Sequence, residues 1–431
     1  MTLTAGILLL SIFFILLFIG VPIAISIAGA SIATMLILFP FDVAVFTSAQ
    51  KMVTGLDSFA LLAIPFFILS GIIMNNGGIA LRLINVAKLL SGRLPGSLAH
   101  TNVMGNMLFG SISGSSVAAA AAIGGVMSPI QKKEGYDQSF SAAVNIASAP
   151  TGLLIPPSGL LIIYSLVSGG TSVAALFMAG YIPGILWGIA TMFVAYVIAK
   201  KKNYSVSQRI TVKEGLKVIW EAIPSLMLIV VVLGGIIAGI FTATEGAAIA
   251  VAYSLLLSMV YRTFKWKQLP KMLLETVEMT AVIMLLIGTS TILSLVMSFT
   301  GIPEAISQGL LGLTDNPIII LLIMNVILLI IGTFMDITPA VLIFTPIFLP
   351  IVSSFGMDPV HFGIMMAFNL CIGNITPPVG SALFVGASVA KVKIEQVVKP
   401  LLPFYAVIIL VLMIVTFIPQ VSLALPKLFG L

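Results

Sequence analysis

Apolar runs of about 20 residues, the length at which a helix crosses the hydrocarbon of a bilayer, recur from one end of this chain to the other. Of its residues 60% are hydrophobic and 8% charged, and most of the runs lack the polar face that a surface helix of a soluble protein needs. The chain is therefore expected to be an all-α polytopic membrane protein, with the lipid bilayer as its first partner. Residues 1–40 carry no basic n-region and run straight into a second apolar segment, so they read as two retained spans rather than a cleaved signal. The formal charge of +6 reads as a loop-orientation signal, not as nucleic-acid binding. Cys371 is the only cysteine, and His100 and His361 are the only histidines. An intrachain disulfide is excluded, and zinc or redox-metal chemistry is not expected.

Some runs are broken where lipid offers nothing to repair the break. SAPTGLLIPPSG (148–159) sets two adjacent prolines and two glycines in an apolar stretch, and proline both removes a backbone donor and clashes with the preceding turn. The break recurs as ITPPVG (375–380). The offset that carries Pro156 to Pro377 also carries Gly159 to Gly380, Pro129 to Pro350, Gly135 to Gly356 and Asp137 to Asp358. The chain thus reads as a first repeat over 1–199, a basic linker over 200–221 and a second repeat over 222–431. The first repeat holds a helical hairpin at about 98–128 and a broken helix at about 137–168; the second holds them at about 318–349 and 358–390.

Charge sets the relative orientation of the halves. Lys200, Lys201, Lys202, Arg209, Lys213 and Lys217 place the linker in the cytoplasm. The loop 76–97 carries Arg82, Lys88 and Arg93, whereas its counterpart 299–317 carries only Glu304 and Asp315. Lys132 and Lys133 face the uncharged PIVSSFGM, and the uncharged SGGTS (168–172) faces Lys391, Lys393 and Lys399. Each pair differs as it should if one half is upside down, so the repeats are expected to have inverted topology. Each half then crosses an odd number of times: three plain spans, a hairpin that enters and leaves on one side, a broken span and a last plain span. The hairpin segments read as too short and too interrupted for two full spans, hence re-entrant. Both termini are expected outside, in the periplasm.

Each hairpin has a polar tip, FGSISGSS (109–116) and IGTFMDITP (331–339). Inverted repeats bring such discontinuities together near the bilayer midplane. Free carbonyls and Ser or Thr hydroxyls suit a hard cation such as sodium, while half-helix N-termini suit a carboxylate. Ser111, Ser113, Ser115 and Ser116 are either ligand contacts or small packing residues. Asp336 serves an ion, a substrate or a gate, or else caps the helix after it. Thr376 is a candidate ion ligand. Asn145, Asn369 and Asn374 line the cavity or bridge helices, and Glu245 and Cys371 are expected to be structural.

Taken in order, GSISGSSVAAAAAIGGVMSPIQKKEGYD, SAPTGLLIPPSG, GTFMDITPA and NITPPVG resemble the large membrane subunit of tripartite ATP-independent periplasmic (TRAP) transporters, within the ion transporter superfamily. The resemblance spans essentially the whole chain. It implies an elevator-type, sodium-coupled importer of an organic acid anion, a C4-dicarboxylate or sialic acid, in a bacterial inner membrane. It implies no catalytic residues, and no cofactor beyond sodium as coupling ion. Its implied partners are a periplasmic substrate-binding protein and a small four-helix membrane subunit. That subunit is expected as a separate polypeptide, since no such segment precedes Met1 or follows Leu431. Carried over by position, one sodium site uses Gly110, Ser111, Ser113, Gly152, Ile155 and Pro156, and the other Gly332, Thr333, Gly373, Thr376 and Val379, mostly through backbone carbonyls. Ser115, Ser116, Asn374 and Asp336 are the substrate candidates. The alternative is a stand-alone sodium/dicarboxylate symporter of related fold. An enzyme would need a constellation that Asp336 alone does not supply, and breaks with hairpins favour alternating access over a channel.

Overall fold

A computed structural model describes residues 2–92, 94–204, 212–314 and 316–431. Arg93, Arg209 and Asp315, which entered the charge argument, lie outside them, as does part of the linker. Among the described residues every regular element is helical. Among them eight helices are long and apolar enough to cross a membrane, or nine if one bent pair is counted as a span.

Helix starts leave N–H groups unbonded, and in lipid these have no water to turn to. The sequence supplies side chains for several of them. Ser115 accepts from the Ala118 N–H at 3.2 Å, Asp137 from Phe140 at 2.9 Å and Asp358 from Val360 at 2.8 Å. Thr242 and Glu245 form a reciprocal capping box at the start of Ala243–Val260.

The helices fall into two groups. Thr2–Phe18, Ile23–Leu38, Ala63–Asn76, Val212–Ile237, Ala243–Val260 and Leu269–Thr300 pack on one another as a scaffold. The other group is a core of interrupted elements. Its first hairpin is Ser97–Ser113 with Ser116–Lys133, followed by a span broken into Gln138–Leu154 and Gly159–Val167 with a 49° bend. Its second hairpin is Pro317–Phe334 with Ile337–Ser354, followed by Pro359–Asn374 and Ser381–Ala390. Val173–Lys201 and Ile394–Phe417 flank these pieces.

The core is interlocked. Ser381–Ala390 packs against the first hairpin's Ser116–Lys133, and Gly159–Val167 packs against the second hairpin's Ile337–Ser354. The hydroxyl of Tyr164 donates to the Pro359 carbonyl at 2.6 Å, and its ring lies over Gly363, where any side chain would collide. Trp187, fully buried on Val173–Lys201, donates to the Ala147 carbonyl at 2.7 Å. Lipid supplies no hydrophobic drive between helices, so close packing of small residues and bonds of this kind hold the core together.

Three expectations need correction. The hairpins are longer than their sequence suggested, because Pro129, Pro346 and Pro350 sit inside helices rather than ending them. Each arm of the second hairpin has 18 residues, about 27 Å at 1.5 Å per residue, and passes as a span by length and composition. Brevity therefore does not distinguish these arms from full spans. The segments read as loops 76–97 and 299–317 contain helices, Ile79–Ser91 and Ile302–Leu313. In the first, Ile79, Leu83, Ile84 and Ala87 are buried at helical spacing while Leu81 and Leu90 are exposed. Helix Val212–Ile237 starts inside the stretch read as linker, which puts Lys213 and Lys217 on a helix, Lys217 being 3.9 Å from Glu221.

Candidate functional site

Each broken span meets the hairpin of its own half at a pair of glycines. A methyl group on Gly110 would stand 2.8 Å from the Gly152 Cα, and one on Gly152 would fall onto the Gly110 backbone. Gly332 and Gly373 repeat the arrangement, with 3.1 Å from a Gly332 methyl to the Gly373 Cα. Only glycine lets two backbones come this close. The end of each hairpin's first arm thereby lies against the helical turn that leads into a break.

The hydroxyls around these contacts are turned back on their own helices. Ser111 donates to the Leu108 carbonyl at 2.9 Å, Thr333 to Ile330 at 2.7 Å and Thr376 to Ile372 at 2.7 Å. A hydroxyl that gives its proton to its own helix keeps its oxygen lone pairs for another ligand, as a cation requires. The Val379 N–H donates to the Thr333 carbonyl at 3.1 Å, tying the second break to the second tip. The Gly110 carbonyl accepts from the Gly114 N–H at 2.8 Å, with the Ser113 hydroxyl at 3.5 Å. Beyond the glycine pairs the two clusters differ. Ile155 and Pro156 are buried, Ile155 against Gly184, whereas Val379 is 49% exposed.

Between the clusters lies a cavity of about 410 Å³. Ser113, Ser115, Ser116, Asp336 and Asn374 line it, so all four substrate candidates meet there. The Ser116 hydroxyl donates to Asn374 Oδ1 at 3.1 Å, joining the first hairpin to the second break. Asn374 Nδ2 donates to Ser381 Oγ at 2.9 Å and reaches Asp336 Oδ1 at 3.4 Å, while the Ala382 N–H donates to Asn374 Oδ1 at 3.2 Å. Asp336 stands at the start of Ile337–Ser354 but makes no side-chain capping bond; its carboxylate is exposed to the cavity.

Among the described residues that line it there is no Lys, Arg or His, and Asp336 is the only charged one. Instead four helix starts converge, since Ser116, Gly159, Ile337 and Ser381 each begin a helix and each line the cavity. The opposite wall belongs to the scaffold. Ile64, Phe67, Ile68 and Gly71 form a stripe at helical spacing, and Met279, Val282, Ile283 and Leu286 form another. A methyl on Gly71 would lie 3.1 Å from the Ser113 Cα.

Asn145 and Asn369 bridge helices rather than lining the cavity: Asn145 bonds Asn106 and Ala120, and Asn369 bonds Asn325. Glu245 closes its capping box and Cys371 is buried, both in structural positions. The sequence reading missed Ser381 and Gly71. Ser381 carried a signal as the first helical residue after the second break, but Gly71 is an unremarkable small residue in an apolar helix.

Helix breaks and a helical scaffold around a cavity define an integral membrane protein of transporter architecture. The fold is similar to the YdaH transporter of Alcanivorax borkumensis, with a TM-score of 0.62 and 14% identity, covering 88% of this chain and 89% of that one. Over residues 10–421 the sequence matches the Tripartite ATP-independent periplasmic transporter, DctM component, and the chain belongs to that family as a large permease subunit. It is 55% identical to an uncharacterized protein of Salmonella typhimurium, YgiK, over 97% of this chain and 96% of that one. It is 40% identical to the C4-dicarboxylate TRAP transporter large permease protein of Pseudomonas aeruginosa, over 94% of each chain. It is 38% identical to the sialic acid TRAP transporter large permease protein of Vibrio cholerae, over 96% of each.

Proposed function

We propose that this chain carries an organic acid anion, a C4-dicarboxylate or sialic acid, across the bacterial inner membrane by sodium symport. It receives the anion from a periplasmic binding protein and works with a small four-helix membrane subunit. The observation that carries this reading is the cavity without cationic side chains, faced by four helix starts and flanked by two glycine-paired carbonyl clusters. Each helix start carries roughly half a positive charge, which suits a carboxylate, although Ser115 and Asn374 already take the Ala118 and Ala382 N–H groups. Asp336 opposes an anion in the same space, and sodium bound at the flanking clusters offsets it. Sodium therefore binds first, at Gly110, Ser111, Ser113, Gly152, Ile155 and Pro156 and at Gly332, Thr333, Gly373, Thr376 and Val379.

The two halves are inverted repeats with both termini in the periplasm. In support, the offset that relates Pro156 to Pro377 also carries the starts of Ser116–Lys133, Gln138–Ser148 and Val173–Lys201 onto those of Ile337–Ser354, Pro359–Asn374 and Ile394–Phe417. The interlocked core moves as one body along the apolar stripes of the scaffold, taking the cavity from one side to the other. Gly71 keeps that sliding contact free of a protruding side chain.

The test is uptake by proteoliposomes containing this chain, its small subunit and its binding protein, with labelled C4-dicarboxylates and sialic acid, omitting one protein at a time. Uptake of one anion that needs all three proteins is expected. Uptake by this chain alone would make it a stand-alone symporter and overturn the partner assignment.

A further inference from the structure

We infer that Asn106 is the positioning residue of the first ion site, setting the register in which the Gly110 and Gly152 backbones meet. The inference rests on the sodium reading above. Asn106 is wholly buried, and its Nδ2 lies within hydrogen-bond reach of four oxygens: Ser148 Oγ at 2.7 Å, Asn102 Oδ1 and Asn145 Oδ1 each at 3.0 Å, and the Asn145 carbonyl at 3.2 Å. An amide carries two N–H donors, so two protons are shared among four acceptors.

The node binds three helices. Asn106 is on the first arm of the first hairpin, Asn145 and Ser148 are on the broken span, and Asn145 Nδ2 donates to the Ala120 carbonyl on the second arm at 2.9 Å. Gly124 makes room for it, since a methyl there would collide with Asn145 Nδ2. Ser148 gives its own proton to the Val144 carbonyl at 2.7 Å, which fixes it as an acceptor toward Asn106. Asn106 precedes Gly110 by one helical turn on Ser97–Ser113, and Ser148 ends Gln138–Ser148 four residues before Gly152, across the turn at Ala149 and Pro150. The bond between them therefore anchors the hairpin arm to the end of Gln138–Ser148, just before the turn that carries Gly152 onto Gly110. No water is at hand in lipid to replace it.

The second half is built differently. Asn369 precedes Gly373 by one turn and donates to Asn325 Oδ1 at 2.6 Å, and Asn325 reaches Thr416 on Ile394–Phe417 at 3.2 Å. The second clamp thus leans on the flanking helix rather than on the other arm of its hairpin, and Asn106 acts on the first site alone.

The test uses the purified full chain and follows its thermal stability against sodium concentration, with potassium chloride holding ionic strength constant. The wild type is expected to be stabilised by sodium and not by potassium. Asn106→Ala and Asn106→Leu, the latter keeping the volume but losing the donors, should raise the sodium concentration at half effect by about tenfold, as loss of outer-shell partners does at metal sites. Ser148→Ala, which removes one acceptor with little change in volume, should raise it by about threefold and carries the test if the Asn106 variants do not fold. A wild type indifferent to sodium would overturn the sodium reading and this inference with it. A wild type that responds, with variants that respond at the same midpoint and differ only in potassium, would leave the sodium reading standing and overturn the role of Asn106.

Discussion

A single methyl group is enough to interrogate the glycine-paired clusters proposed to hold sodium. Gly152→Ala would press Cβ onto the Gly110 backbone, and backbone on both sides cannot turn away as a side chain would. Overpacking of this kind costs about 1–3 kcal/mol, and uptake driven by sodium should be lost. Gly125→Ala, on the same hairpin with nothing within 4 Å, should stabilise by up to about 1 kcal/mol and leave uptake intact; paired thermal and uptake assays separate the two. Asn374→Ala should act on the substrate instead. It removes the partner of Ser116, Ser381 and the Ala382 N–H, and the KM for the anion should rise about tenfold, the size of one well-made polar contact. The sequence made Asn374, Asp336 and the tip serines legible because polar groups beside breaks in an apolar run are costly without a role. Gly71 was not legible, since its meaning lies in how near Ser113 comes, and nothing local encodes that.

At the scale of the element, the first broken span depends on how it starts. Asp137 accepts the Phe140 N–H at 2.9 Å and meets Lys202 at 3.2 Å. Burial alone would raise its pKa, but the Phe140 N–H and Lys202 together outweigh that and hold the carboxyl below its ordinary value. A carboxylate whose folded pKa is depressed contributes stability above its unfolded pKa and loses it as pH falls through the folded one. Thermal unfolding should therefore show a loss of stability below about pH 4 that Asp137→Asn, which caps without charge, reduces. Asp137→Ala should cost about 1 kcal/mol at neutral pH; the half-exposed ion pair itself adds little. Asp137 and Asp358 were visible in sequence as a matched pair. The true hairpin ends were not, because Pro129 and Pro350 look like stops, while in a packed membrane core neighbouring helices allow a helix to run through proline.

At the scale of the molecule, the interlocked core is what the sequence hid best. The offset between halves could be read from prolines and glycines, but the packing of each broken span's second piece on the other half's hairpin is a contact between residues far apart in the chain. Inversion of the halves predicts opposite accessibility at related positions. Replacing Cys371, the only cysteine, gives a background in which Lys133→Cys should be labelled only from the cytoplasm and Ser354→Cys only from the periplasm. Labelling of both from one side would remove the inverted topology, and the elevator movement drawn from it.

Sodium coupling is tested most directly by loading the three-component proteoliposomes under an inward sodium gradient and following the labelled anion. The anion should accumulate above its outside concentration, and a sodium ionophore should release it while a protonophore should not. Accumulation that survives the loss of the sodium gradient, or collapses with the proton gradient, would contradict the assignment of the glycine-paired clusters to sodium.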